Sequence, residues 1–462
     1  MAHFDLVVIG TGPAGEKGAA QAAYFGKRVA VVERRAVLGG ARIHACALPS
    51  KNLRETALSL SGFRQRQAPG VRVAVEPGVS LSDLLCKQEP ILSAEIARVR
   101  RNLEAHEVTI LSGQARFADA RTLLIDHDGH TRSVTADVFL VATGSMPFRP
   151  PDIPFAHPAV HDSDGILRVD RIPASLAVLG GGVVGCELAS MFAPLGVRIT
   201  LVDQGPRLLP FADEELSGIL AAAFEHAGID VRPSTRAVEV VPGADSVVTT
   251  LADGSRLTTE RVLFCGGRVG NTTGLHLDLA GVHVDERGRI PVDATYRTSV
   301  PHIYAAGDVV GFPALASTSM EQARIAMCHA FDLQYKTRLS PILPLGIYTI
   351  PELSMVGETE LSARQKGLDF EIGRAFYRDN PRGQIAGDAD GMLKLVFARA
   401  DRRLLGAHIV GERATELIHI ASTCLGLGGS IDTFIDAVYN YPTLSELYKY
   451  AAYDGLGRLR NS

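Results

Sequence analysis

The chain has 462 residues, 46% of them hydrophobic and 21% charged, with a formal net charge of -4. At roughly 150 residues per domain, that length suggests about three domains of ordinary globular composition. No basic stripe argues for nucleic acid or an anionic membrane surface, no apolar run is long enough for a membrane span, and no charged-then-apolar leader opens the chain, so a cytoplasmic protein without either partner is expected. The six cysteines (Cys46, Cys86, Cys186, Cys265, Cys328, Cys424) form no C-x-x-C and no zinc-type spacing, which favours reduced, mostly buried thiols and no metal.

Residues 4–9, "FDLVVI", form a short β-branched run, and "GTGPAG" follows at once. The alanine-rich "EKGAAQAAYFG" then reads as a helix and "KRVAVVE" as a second strand ending on Glu33. Strand, glycine turn, helix, strand and acid is the grammar of a dinucleotide site. Gly10 permits the tight turn, Gly12 lets the backbone approach a diphosphate, and Gly15 lets the helix pack on the strand. The helix N-terminus offers N–H groups to phosphate, and Glu33 can accept hydrogen bonds from a ribose diol.

The next stretch, "GGARIHACALPSKNL" (39–53), carries one cysteine, Cys46, ahead of a Pro-Ser-Lys turn and no second one to pair with it locally. Further on, "VFLVATGS" (138–145) is a strand ending at a turn with Thr143 and Gly144, and the proline-rich "SMPFRPPDIP" (145–154) is a natural crossing point between domains. "SLAVLGGGVVGCELASMFAPLGVRITLVD" (175–203) repeats the dinucleotide grammar with Gly180, Gly182, Gly185 and Asp203. Two such units suggest one bound flavin and one exchangeable nicotinamide nucleotide. Asp203 would welcome a 2′-OH and repel a 2′-phosphate, favouring NAD(H). Arg207 either softens that repulsion or is a structural, solvated arginine. "GRVGNT" (267–272) and "PHIYAAGDVVG" (301–311) follow, the latter placing Asp308 between a strand and a helical run. The C-terminal part contains "IYTIPELSMVGETE" (347–360), "LLGAHIVGERATELI" (404–418) and "YNYPTLSELYKYAA" (439–452).

In this order and spacing, the motifs resemble class I of the pyridine nucleotide–disulfide oxidoreductase family across nearly the whole chain. Within it they look most like the soluble (si-specific) pyridine nucleotide transhydrogenases, on "ATGS", "GRVGNT" and "GIYTIPE". Strand and helix alternate through about the first 300 residues, which favours an α/β fold of two doubly wound, Rossmann-like dinucleotide-binding domains, and the resemblance adds an α+β C-terminal dimerisation domain. The expected division is an FAD domain from 1–149 and 271–340, a nicotinamide domain from 150–270 and an interface domain from 341–462. It also implies FAD and NAD(P) as cofactors, nicotinamide nucleotides as partners, and a homodimer. Gly10, Gly12, Gly15 and Glu33 would hold the ADP half of FAD, Asp308 would bond its ribityl chain, and Thr143 and Gly144 would lie along it. Gly180, Gly182, Gly185 and Asp203 would hold NAD.

Dithiol members of the family carry two cysteines, with four residues between them, ahead of Pro-Ser-Lys. Those positions are Arg42 and Ala47 here, and Cys46 misses the second slot by one residue. His44 is shared with the transhydrogenase pattern. Near the C-terminus, Tyr441 replaces the histidine of the family's His-Pro pair, with Glu446 five residues on. A phenol with a pKa of about 10 cannot take a thiol proton at neutral pH as an imidazole can. Tyr441 is expected to pack toward a partner subunit's flavin edge, and His408 and His419 to be structural. Lys51 and Glu187 correspond to the family's ion pair beside the flavin N5. Arg42 either closes the former disulfide side and raises the flavin potential, or turns to solvent. The expected activity is ping-pong hydride transfer between NADH or NADPH and NAD(P)+ through FAD. An NAD(P)H:quinone or dye reductase is the alternative, and a non-catalytic flavin-binding interaction protein a third reading.

Overall fold

The structure, a computed structural model, describes residues 2–45, 47–66, 78–85 and 88–461. By proximity the chain divides into two units: residues 1–50, 85–148 and 267–340 form one, and 51–84, 149–266 and 341–462 the other. The second unit holds the residues expected of the nicotinamide and interface domains together with residues 51–84.

The first unit is built on a parallel sheet. Its strands run in the order Thr109–Ser112, Val29–Glu33, Ala2–Ile9 and His130–Val141, and Ile303–Ala305 also pairs with the last of these. Alternate side chains serve opposite faces. Leu6, Val8 and Val31 pack with Ala19, Ala22, Val99, Leu103, Ala323 and Met327 of three helices, Pro13–Tyr24, Gln88–Ala105 and Ala316–Ala330. Val7, Ile9 and Val32 pack with Phe117, Leu123 and Ile125. Burial on both faces explains why these strands read as unbroken apolar runs. The last three residues come from an antiparallel meander, Gln114–Asp119, Thr122–His127 and His130–Val141, that interrupts the strand–helix alternation expected from the sequence. Asp128-Gly129 turns its second hairpin, with φ of 48° and 77° and His127 paired to His130. Two positive φ values in a two-residue loop match the twist of the flanking strands.

The second unit holds a parallel sheet in the order Asp230–Arg232, Arg198–Val202, Ser175–Leu179, Arg261–Phe264 and Val160–His161. A small antiparallel sheet, Ala237–Pro242, Val247–Leu251 and Arg256–Thr259, is attached to the same stretch of chain. The C-terminal part is a five-stranded antiparallel sheet with helices Ala414–Gly426 and Leu447–Asn461. There Leu393, Leu395, Phe397, Ala407 and Ile409 share a core with Leu417, Ile418, Ala421 and Tyr448. The expected α/β architecture with an α+β C-terminal region is therefore present. Lys394, only 1% exposed, donates to both oxygens of Asp213 at 3.0 Å and pairs with Glu215 at 3.1 Å and with Glu360. A buried ammonium is tolerated there because three carboxylates offset its desolvation. No helix among the described residues is long and apolar enough to cross a membrane.

Candidate active site

In the first unit, strand Ala2–Ile9 ends at Gly10, whose φ is 102°. A Cβ there would meet Ala142 O at 2.6 Å, and one on Gly15 would meet Gly10 O at 1.9 Å. Both positions admit only glycine. Gly12 caps helix Pro13–Tyr24, and an added Cβ would meet only Gly40 Cα, at 3.9 Å. The loop is closed on its inner side, and the first N–H groups of the helix it leads into lack helical partners. Glu33, at the end of its strand, accepts from Thr11 N at 3.1 Å, Thr11 Oγ1 at 2.5 Å and Arg35 N at 3.0 Å. A carboxylate has about four lone-pair sites, so acceptor capacity remains for ribose hydroxyls.

Asp308 follows Gly307 (φ 86°) and accepts from Ser145 Oγ at 2.8 Å. Arg268 Nε donates to the same hydroxyl at 2.8 Å, so strands Ser145–Pro147 and Arg268–Gly270 hold the carboxylate's partner in place. Asn271 donates to Thr143 O at 3.2 Å through its side chain and to Gly144 O at 2.9 Å through its backbone. Thr143 Oγ1 is buried without a partner among the described residues. Open glycines, an orphaned hydroxyl and two oriented carboxylates fit a bound dinucleotide.

In the second unit the same loop geometry recurs. Gly180 has φ 123°, and its Cβ would lie 2.6 Å from Cys265 O. A Cβ on Gly185 would lie 1.8 Å from Gly180 O, whereas one on Gly182 would meet nothing within 4 Å. Asp203 accepts from Gly181 N at 2.5 Å and from Gly205 N at 2.6 Å. Arg207 donates to Ala212 O at 3.1 Å and Pro210 O at 2.8 Å. Its guanidinium thus bonds carbonyls of its own loop, as the structural reading of this residue expects.

Lys51 is the fifth residue of helix Ala47–Arg66, so Pro-Ser-Lys belongs to the helix rather than to a turn ahead of it. Its Nζ lies 2.7 Å from Glu187 Oε2. Glu187 is buried on helix Val183–Phe192, and its other oxygen accepts from Tyr348 N at 2.9 Å. The Tyr348 ring lies under the ammonium, 4.8 Å from Nζ to the ring centroid. Burial raises the Tyr348 phenol above its ordinary value, with help from Glu352 and Glu187, so the ring presents a neutral face to the cation. Sequence reasoning found the ion pair and missed Tyr348. "GIYTIPE" was the available signal.

At the family's cysteine positions the structure is specific about Arg42. Its side chain is 10% exposed, so it does not turn to solvent. Nη2 lies 3.0 Å from Glu16 Oε2 and 3.3 Å from Glu95 Oε1. Glu16 is fully buried and also takes Arg98 on both oxygens, at 3.0 and 3.1 Å, with Asn102 at 2.9 Å and Lys17 at 2.9 Å. Burial would raise this carboxyl, but the hydrogen bonds from Arg98, Lys17 and Arg42 lower it from 4.5 to about 2. Glu16 was not singled out from sequence, although a lone acid in an alanine–glycine helix was a signal. Ala47 opens the helix, while Cys46 and Cys86 fall outside the described residues. Tyr441 is 72% exposed. His408 is buried, bonded to Glu358 O at 2.8 Å, and His419 is exposed.

The family model described as "Pyridine nucleotide-disulphide oxidoreductase" matches residues 4–328, and its "dimerisation domain" matches 343–452. A protein of Mycobacterium tuberculosis (strain ATCC 25177 / H37Ra) named "Soluble pyridine nucleotide transhydrogenase" is 43% identical over 462 residues, covering 100% of this chain and 98% of its own. One of the same name from Pseudomonas entomophila (strain L48) is 41% identical over 463 residues, covering 99% of each. Among solved structures, LpdA from Mycobacterium tuberculosis has a TM-score of 0.88 at 26% identity, covering 98% of this chain and 99% of its own. The HOCl-induced flavoprotein disulfide reductase RclA from Escherichia coli has a TM-score of 0.86 at 26% identity, covering 97% and 99%.

Proposed function

Because the chain belongs to the pyridine nucleotide-disulphide oxidoreductase family, we propose that it is an FAD-dependent transhydrogenase, exchanging hydride between NADH or NADPH and NAD(P)+ without a dithiol relay. The observation that carries the reading is the Lys51–Glu187 pair at 2.7 Å in a chain with arginine and alanine at the dithiol positions. Residues 1–149 and 271–340 form the FAD domain in this reading, 150–270 the nicotinamide domain, and 341–462 the dimerisation domain of a cytoplasmic homodimer.

Gly10, Gly12 and Gly15 shape the loop for the FAD diphosphate, Glu33 takes the ribose, Asp308 the ribityl chain, and Thr143 and Gly144 line the cofactor. Gly180, Gly182 and Gly185 do the same for the nicotinamide nucleotide, with Asp203 on its adenosine ribose. Bound FAD supplies a two-electron hydride acceptor and donor. By family resemblance, Lys51 would place a positive charge beside bound FAD, where it would favour negative charge on the reduced cofactor. Glu187 offsets the cost of holding that ammonium partly buried, and the Tyr348 N–H fixes the carboxylate.

Mixing NADPH with thio-NAD+ under anaerobic conditions tests the reading, which requires reduced thio-NAD to accumulate. Asp203 favours a second reading, a reductase passing electrons from NADH to a quinone or dye. Its carboxylate is held in the loop by Gly181 N and Gly205 N, and Arg207 is engaged with carbonyls of its own loop rather than turned toward a 2′-phosphate. NADH with a quinone, in the absence of thio-NAD+ turnover, identifies that case.

A further inference from the structure

Thr11 and Glu16 flank Gly12 and Gly15 of the first loop, and residues 39–45 grip both. Gly39 N donates to Thr11 Oγ1 at 3.0 Å, and Thr11 Oγ1 in turn donates to Glu33 at 2.5 Å. Arg42 bonds Glu16 at 3.0 Å, one turn into the helix that Gly12 caps. Between these anchors the two backbones touch: a Cβ on Gly40 would lie 2.7 Å from Gly12 Cα. The segment is also fixed on itself. His44 Nε2 bonds Val37 O at 3.0 Å, and Ile43 fills the place where a Gly39 side chain would stand. On the far side of Glu16, Arg98 and Asn102 of helix Gln88–Ala105 complete its partners.

We propose that Arg42 is a positioning residue for the FAD diphosphate loop, an ionic strap that ties the 39–45 segment to the helix behind Gly12–Gly15. Dithiol members have a cysteine at this position. Here the chain spends the same position on mechanics, keeping the loop in one shape beneath the overlying segment. Arg42 and Glu16 form a charge-assisted pair, which resists opening more than a neutral contact does. Removing Arg42 leaves Glu16 with Arg98, Lys17 and Asn102, so the helix keeps its buried acid satisfied. The strap rests on the reading of the first loop as an FAD site.

The rate of FAD release from the holoenzyme, followed by the rise of free-flavin fluorescence on dilution, reads the strap directly. Arg42→Ala should release FAD at least about tenfold faster, the equivalent of about 1.4 kcal/mol. Arg42→Lys should recover part of the loss, because an ammonium can still reach Glu16. Arg42→Met keeps the bulk without the charge and should behave like the alanine variant, so it decides the matter should Arg42→Ala fold poorly. Adding Arg42→Ala to Glu16→Gln should change the release rate by less than about twofold, as expected for two residues acting through one contact. A merely structural arginine would lower the thermal midpoint and leave FAD release unchanged. Release rates of Arg42→Ala and Arg42→Met within about twofold of the unmodified protein overturn the strap. An unmodified protein that binds no FAD overturns the functional reading itself, before any variant is made.

Discussion

Asp203 carries the sharpest consequence at the scale of a single residue. Its two oxygens are held by Gly181 N and Gly205 N, which fix the orientation of the carboxylate. A 2′-phosphate brought against it meets a like charge, which costs on the order of 1–3 kcal/mol. NADH should therefore reduce the flavin with a kcat/KM roughly 5- to 150-fold above that of NADPH, and Asp203→Asn should narrow the gap. Equal values in the unmodified protein would mean that Asp203 does not face the 2′ position. For Lys51, replacement by methionine removes the cation and leaves Glu187 without its salt-bridge partner. Stopped-flow reduction by NADH should slow by about a hundredfold, the usual scale for losing one preorganised charge partner. Glu16 yields a pH prediction. Its carboxyl falls from 4.5 to about 2 on folding, so its contribution to stability is complete above 4.5 and is lost as the pH drops toward 2. Glu16→Gln cannot titrate, so its stability should fall less steeply across that window in acid-unfolding curves.

At the scale of elements, the two glycine loops are near copies, and the same substitution separates their roles. Gly15→Ala drives a Cβ to 1.9 Å from Gly10 O, and Gly185→Ala drives one to 1.8 Å from Gly180 O. Each requires a backbone shift at a cost of about 1–3 kcal/mol. The first variant should lose FAD on purification. The second should stay yellow but need NADH concentrations at least about tenfold higher for half-maximal reduction. Colourless protein from Gly185→Ala, or unchanged FAD content in Gly15→Ala, would reverse the assignment of the loops. These loops were legible in the sequence because the strand, turn, helix and acid of each unit are contiguous, and each glycine answers a local steric demand. The antiparallel meander was harder to see, although "HDGH" held its turn: Asp128-Gly129 is a hairpin signal only once its flanking runs are taken as strands.

For the whole molecule, the prediction concerns electron count. Arginine, alanine and tyrosine stand where dithiol chemistry needs two cysteines and a histidine. Anaerobic titration of the purified yellow protein with NADH should end at two electrons per flavin, with no intermediate thiolate–flavin stage. Uptake of four would show a redox-active disulfide after all. The sequence by itself determined the architecture and most candidate positions, because glycine conformation, strand burial and helix N-termini act over a few neighbouring residues. It also determined that the dithiol was missing, which needs only a count from Pro49. Only tertiary structure decided what Arg42 does. Its partners, Glu16 and Glu95, lie 26 and 53 residues away in sequence and carry no mark of their meeting. An ion pair is specified by a distance of a few ångströms between charged groups, and no periodicity or spacing rule encodes that distance for residues on separate elements. Tyr348 lies in the quoted "GIYTIPE" stretch, but only the tertiary structure brings its N–H to Glu187 and its ring under Lys51, from 161 and 297 residues further along the chain.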